Sequence, residues 1–335
     1  MKTPEQIKWL MEKVNDHWLA QKPDPGDCAW ERGAYFLGDL AAYEVLGKPA
    51  YLDYALAWAD ANHWRFYDAD NPEGYRNADN KICGQSYLTL LRLAPQRGSI
   101  APMEQAMRQV LCDPAADYWW WVDTIYMALP YYAMMGVHQQ DARYFDKMYR
   151  LFDDVRTRRA CYDEEARLWF RDERFLPERA RTMSGKKVFW GRGNGWVFAG
   201  LARALAVLPP SEPHAACYRQ MFCDMAEALI PCQQPDGFWR CSLIEPNEFA
   251  MPETSATALI SYGLALGANL GILDARRSMP VAQQGYEGII KTALNEQGGL
   301  GWVQVVADRP GAVRQEAEND YAVGTFLLLS RELLR

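Results

Sequence analysis

Histidine is scarce in this chain, with only four among 335 residues, at positions 17, 63, 138 and 214. They form no HxxxH pair and no Cys/His cluster, so no metal site is expected. The eight cysteines, at 28, 83, 112, 161, 217, 223, 232 and 241, include no CxxC, which favours reduced thiols over a disulfide framework. Also missing is any run of Lys and Arg. Acidic residues number 43 against 36 basic ones, giving a net charge of −7, and nucleic acid is not an expected partner. Met1-Lys2-Thr3-Pro4-Glu5 leads into an amphipathic stretch without a signal-peptide apolar core, hence the expectation of a cytoplasmic protein. The longest uncharged run, Thr254 to Leu273, contains Ser255, Ser261, Asn269 and three glycines. It reads as a helix buried on all sides, and no membrane association is expected. There is no GxSxG elbow and no His placed near a Ser or Cys as a triad needs. Gly191-Arg192-Gly193-Asn194-Gly195 lacks GxGxxG spacing, and Ser184-Gly185-Lys186-Lys187 lacks the upstream Gly of a P-loop, so no cofactor is expected.

What the chain does have is helical periodicity and aromatic rings. Apolar spacing predicts twelve helices, at roughly 4–20, 30–47, 49–64, 79–94, 99–112, 119–136, 140–160, 193–208, 212–233, 253–271, 280–295 and 319–334. The odd-numbered ones are amphipathic, as in Met103–Leu111 or Tyr218–Ala228. The even-numbered ones are rich in Gly, Ala and large apolar residues, as in Gly33–Val45, Val197–Leu208 and Ser255–Leu266. Inner helices packed on every side, alternating with outer helices that keep a solvent face, make an all-α (α/α)6 barrel of six hairpins. Short strands are expected in loops at Leu168–Phe175, Phe238–Leu243 and Gly299–Val306. Nothing resembling a linker divides residues 1–335, so one catalytic domain is expected. Thirteen Trp and eighteen Tyr exceed what a core needs, and rings exposed in a cleft grip ring-shaped ligands.

Unusual polar residues gather where the even helices start: Trp30-Glu31-Arg32-Gly33, Asp79-Asn80, Trp119-Trp120-Trp121-Val122-Asp123, Gly191-Arg192-Gly193-Asn194-Gly195-Trp196, Pro252-Glu253-Thr254-Ser255 and Glu318-Asn319-Asp320-Tyr321. An up-and-down barrel puts all six at one mouth. Several are also ordinary helix caps: Asp79, Asp320 and Ser255 are N-cap types, and Glu253 and Glu318 suit a helix dipole. Asp123 differs, because three Trp precede it and Val122, Ile125 and Met127 flank it. A carboxyl in such surroundings has a raised pKa, as a general acid requires. Candidate carboxylates are Asp79, Asp123, Glu253 and Asp320. Arg192 and Trp196, four apart, would share a helical face suited to a ring bearing a carboxylate.

Taken in order, Trp30-Glu31-Arg32-Gly33, Trp121-Val122-Asp123, Trp190-Gly191-Arg192-Gly193-Asn194-Gly195-Trp196, Asp236-Gly237-Phe238-Trp239-Arg240 and Pro252-Glu253-Thr254-Ser255 resemble the unsaturated rhamnogalacturonyl hydrolases, relatives of the unsaturated glucuronyl hydrolases. The resemblance spans about residues 28 to 330. It implies a glycosidase that removes a 4,5-unsaturated uronic acid from the non-reducing end of lyase-generated oligosaccharides, by hydrating the C4=C5 bond. By the same resemblance Asp123 is the acid/base and Asp79 the second carboxylate. Arg192 and Trp196 line the sugar subsite, with Asn194, Trp121, Trp30 and Glu253 as further substrate contacts. The family usually has a His between the catalytic Asp and the Arg-Gly-Asn-Gly-Trp string. Residues 139 to 213 contain none, and Arg171, in Leu168-Trp169-Phe170-Arg171-Asp172, is expected to stand in its place. Two other readings remain open: a sugar epimerase or isomerase on the same barrel, which would need His bases at the mouth, and a non-catalytic carbohydrate-binding protein, which would not need a buried carboxylate.

Overall fold

Apolar residues spaced for one helical face recur along the chain, and a computed structural model, which describes residues 2–335, folds them into thirteen α-helices. In chain order these are α1 (Pro4–Gln21), α2 (Trp30–Leu46), α3 (Pro49–Ala61), α4 (Ile82–Leu93), α5 (Ala101–Cys112), α6 (Thr124–Met127), α7 (Leu129–Gln139), α8 (Arg143–Asp153), α9 (Gly191–Leu205), α10 (Ala215–Leu229), α11 (Thr254–Asn269), α12 (Ala275–Thr292) and α13 (Asp320–Leu333). Helices α2, α4, α7, α9, α11 and α13 touch in that order, and α13 returns to α2. They close an inner ring. Helices α1, α3, α5, α8, α10 and α12 form the outer layer, completing the expected (α/α)6 barrel. Burial follows the rings: in α11 every residue from Thr254 to Ala268 is buried, whereas α8 buries only Tyr144, Lys147, Met148, Leu151 and Phe152.

Glycine sets the closeness of the inner ring where α2 meets α13. A Cβ on Gly38 would lie 2.1 Å from the Gly324 carbonyl oxygen, and one on Gly324 would lie 2.2 Å from that of Ala34. No side chain fits between these backbones.

The expected helix over 119–136 is broken. Trp119 to Trp121 are not helical, α6 is a single turn, and Pro130 opens α7 with no N–H to offer the preceding turn. The freed carbonyls of Tyr126 and Met127 are taken instead by the Gln85 side-chain amide, at 3.0 and 3.2 Å. The first turn of the expected helix 79–94 is a 3₁₀ turn, Asp79–Lys81, and the end of 140–160 is a π turn, Asp154–Arg158. Of the expected strands, only Leu168–Trp169 (β2) forms, paired with Tyr162–Asp163 (β1). The other two segments make single bridges, Trp190 with Ser242 and Leu294 with Leu300, and Trp302, at a φ of 54°, interrupts the second. Their remaining backbone groups bond to side chains and loops, so no ladder develops.

Loops at the two ends differ in length. Segments 62–81, 113–123, 154–190, 230–253 and 293–319 precede inner helices at one end, while 47–48, 94–100, 140–142, 206–214 and 270–274 close the other. Among the described residues no helix is long and apolar enough to cross a membrane.

Gly38→Ala should lower stability by roughly 2–3 kcal/mol, because the methyl must push two helix backbones apart. A thermal midpoint unchanged from wild type would show that the ring can yield there.

Candidate active site

All six inner helices begin at the long-loop end, and the polar groups there divide by whether their bonding capacity is filled. Asp320 is filled. Its Oδ1 accepts from Arg32 Nη1 at 2.7 Å and from the Trp18 indole at 2.9 Å, and Lys22 reaches Oδ2 at 3.2 Å. Glu253, fully buried, caps α11: Oε1 accepts from the Ser255 hydroxyl at 2.6 Å and the Gln304 N–H at 3.0 Å, and Oε2 from the Ala256 N–H at 2.6 Å. The Asn194 amide clamps the start of α9 to β2, donating to the Trp169 and Trp190 carbonyls at 3.0 Å and accepting the Trp169 N–H at 2.8 Å. Arg192 is 1% exposed and donates to the carbonyls of Gln304 at 2.6 Å and Val305 at 2.9 Å. Its guanidinium lies over the rings of Trp190 and Tyr321.

Trp196 is buried as well, packed edge-on to Trp30 at 6.3 Å and beside Tyr126 at 4.6 Å, while Trp30 stacks on Tyr321 at 5.3 Å. Thus Arg192, Asn194, Trp196 and Glu253, expected to touch substrate, are occupied by the protein itself. They shape the floor of the mouth. Trp30 keeps a partly exposed edge there.

The unfilled groups are Asp123, Asp79 and Arg171. Asp123 precedes α6 and is 9% exposed, and among the described residues its Oδ2 has no hydrogen-bond partner. Arg171 Nε stands 3.3 Å away, also without an aligned hydrogen bond. Burial raises the pKa of Asp123, opposed by the nearby cations Arg171 and Arg192. Asp79 is pushed up to about 7, first by burial and then by repulsion from Asp123, against the pull of Arg171 and a hydrogen bond from Trp121. Repulsion between the two carboxyls favours one ionised and one protonated group over two charges. Backbone pairing explains the meeting of Arg171 with Asp123: Trp121 bridges Asp172, and the Val122 N–H donates to the Arg171 carbonyl at 2.9 Å.

Three contributors were not singled out from sequence. Glu31, beside Trp30, is a partly buried carboxyl whose pKa is raised by burial and by Asp320, and it adds to the rise at Asp79. Trp120 is 45% exposed and lies under the Arg171 guanidinium, 5.2 Å from it. Lys81 is buried over the Phe66 ring with its ammonium on the Asn77 carbonyl, and burial lowers its pKa to about 7. The strings Trp30-Glu31 and Trp119-Trp120-Trp121 carried the signal, but sequence does not say which member of each faces the mouth.

Chemically, the arrangement offers a carboxyl able to hold a proton near neutral pH, a second carboxylate, a permanent cation and an open indole face. Among the described residues no three His, Cys, Asp or Glu side chains gather as a metal would require. Two of the histidines are engaged within the protein: His17 bonds to Gln21, and His214 stacks on Tyr149.

Because folding raises the Asp79 pKa to about 7, the folded state binds that proton more tightly than the unfolded chain. Its contribution is fully present below the unfolded carboxyl pKa and is lost as pH rises through about 7. Asp79→Asn should therefore leave stability near wild type at acid pH and raise it by up to roughly 4 kcal/mol at alkaline pH. Urea titrations at both ends of the range check this, and a difference independent of pH would contradict it.

A family model described as Glycosyl Hydrolase Family 88 matches residues 4–335. Two relatives bear the name unsaturated 3S-rhamnoglycuronyl hydrolase. The one from Formosa agariphila is 28% identical over 325 residues, covering 91% of this chain and 84% of the relative. The one from Alteromonas sp. is 31% identical over 280 residues, covering 77% and 67%. A solved structure described as a glycosyl hydrolase family 88 protein from Bacteroides vulgatus is 30% identical, with a TM-score of 0.94 and 99% of both chains covered. With the match running through the barrel and its carboxylate mouth, the chain belongs to glycosyl hydrolase family 88 and is a glycosidase.

Proposed function

We propose that this glycosidase removes a 4,5-unsaturated uronic acid from the non-reducing end of lyase-generated oligosaccharides by hydrating the C4=C5 bond, with Asp123 as acid and base. The observation that carries this reading is a buried carboxyl with a raised pKa, 3.3 Å from the Arg171 guanidinium. The names of the relatives agree on the substrate class.

In the proposed mechanism the uronate carboxylate, carried on C5, is attracted to Arg171, which brings the adjoining C4 to Asp123. Asp123 gives its proton to C4 of this enol ether, and positive charge develops at C5 and the ring oxygen. Asp79, ionised once Asp123 holds the shared proton, stabilises that charge. Water then adds at C5 and returns a proton to Asp123. The hemiketal opens to a ketone at C5, C1 becomes a hemiacetal, and the aglycone leaves as an alcohol. Ordinary glycosidases need a carboxyl on each side of the glycosidic bond. Here both carboxyls serve the double bond.

Trp120 and Trp121 flank the entrance to this site in the proposal, and Arg192, Trp196, Asn194 and Glu253 support it from behind. We read residues 1–335 as one catalytic domain. A cytoplasmic location is supported by eight cysteines that are all free, and the acidic balance of 43 to 36 supports a partner other than nucleic acid.

On lyase-generated oligosaccharides, turnover should appear as loss of the ultraviolet absorbance of the conjugated double bond. Asp123→Asn should reduce it by about 10²–10⁴-fold in a folded protein. A saturated uronide of the same size should stay intact, and in heavy-oxygen water the label should enter at C5. Cleavage of the saturated compound at a comparable rate would overturn the hydration step.

A further inference from the structure

Asp172 follows β2 and is almost wholly buried. Its Oδ2 accepts from Arg171 Nη1 at 2.7 Å and from Arg174 Nη2 at 2.8 Å, and its Oδ1 accepts from Arg174 Nε and the Arg174 N–H, both at 2.9 Å. Arg174 also reaches Asp308 at 2.9 Å, and Asp308 pairs with Arg309 at 2.8 Å. Charges therefore alternate from Asp123 through Arg171, Asp172, Arg174 and Asp308 to Arg309. The inner end of this row is buried and the outer end is exposed.

A guanidinium beside a carboxylate ordinarily closes a two-bond fork, the strongest pairing available to it. Arg171 does not do so with Asp123. Its Nη1 is held by Asp172, while Nε stands 3.3 Å from Asp123 Oδ2 without an aligned hydrogen bond. We infer that Asp172 is a positioning residue, which holds Arg171 back from a full ion pair with Asp123 and so, given the hydration reading above, keeps Asp123 able to carry the reacting proton.

The charged groups acting on Asp123 are Arg171, Arg192, Asp172 and Asp79, and Glu31 bears on it through Asp79. Only Asp172 lies behind the cation, where its charge opposes the pull of Arg171 as well as anchoring it. Around Asp172 itself stand Arg171, Arg174 and Arg309, with Cys161 nearby. Opposite charge changes on the two sides of this link should thus move Asp123 in opposite directions. Asp172→Asn releases Arg171 toward Asp123 and lowers its titration midpoint. Arg174→Gln leaves Asp172 less neutralised and raises it.

The test is a carbon-13 titration of protein labelled at the aspartate carboxyls, with the Asp123 signal identified by its loss in Asp123→Asn. The midpoint should fall in Asp172→Asn, return toward wild type in Asp172→Glu, and rise in Arg174→Gln. The alkaline limb of kcat/KM should shift in the same directions. An Asp123 midpoint unmoved in folded Asp172→Asn, or both charge changes moving it the same way, would overturn the inference. Arg174 is half exposed, so Arg174→Gln decides the matter alone should Asp172→Asn fail to fold: a rise supports the role and no shift removes it. The titration needs no substrate, so a wild type inactive on every unsaturated oligosaccharide would overturn the proposed function and not the positioning role.

Discussion

Taking charge out of water costs several kcal/mol per ion unless protein groups replace the lost hydration, and the mouth of this barrel contains an unusual concentration of such charge. Most of it is fully compensated. Asp320 has Arg32, the Trp18 indole and Lys22, Glu253 has the first turn of α11 and the Gln304 N–H, and Arg192 has two carbonyls. These pairings fix the loops: Gln304 is bound by Arg192 through its carbonyl, by Glu253 through its N–H and by the Trp190 indole through its side chain at 2.8 Å. What remains under-compensated is the Asp123 carboxyl, the facing edge of Arg171 and the half-buried Asp79. Their environment leaves them bonding capacity, and substrate and water can supply what is missing.

The same distinction marks where sequence was sufficient. Ring alternation was legible because an inner helix cannot hide its composition: Gly33–Val45 and Ser255–Leu266 have almost no polar face, and they became α2 and α11. Asp123 was legible because three Trp before a lone carboxyl announce burial. The break at Pro130 was obscured, since Gln85, far away in sequence, supplies the donors that make it tolerable. Likewise, Arg192, Asn194 and Glu253 lie in the family's strings, but whether a string holds the protein or the substrate depends on long-range partners. Glu253 had the ordinary capping reading from the outset, and α11 bears that role out in its bonds to Ser255 and Ala256.

Arg171 shows how a buried cation is accommodated beside a carboxyl. A cation without a titratable proton faces Asp123, Asp172 supplies its counter-charge, and Arg174 in turn pairs with Asp172. The unit to compare among such proteins is therefore the run Arg171 to Arg174 with its partners, not one position.

Trp30 on α2 and Trp196 on α9 belong to helices on opposite sides of the inner ring, yet their rings meet at 6.3 Å, with Tyr126 and Tyr321 packed against Trp196 from α6 and α13. Deeper down, Arg203 of α9 joins Gln85 of α4 and the Tyr262 hydroxyl of α11. The axis of the barrel is thus a blind well. A polymer cannot be threaded through it, so only a chain end can be seated, and the shortened chain must leave by the way it came. Such an architecture suits a reaction that acts once per chain: the shortened chain that leaves ends in a saturated sugar, with no C4=C5 bond left to hydrate.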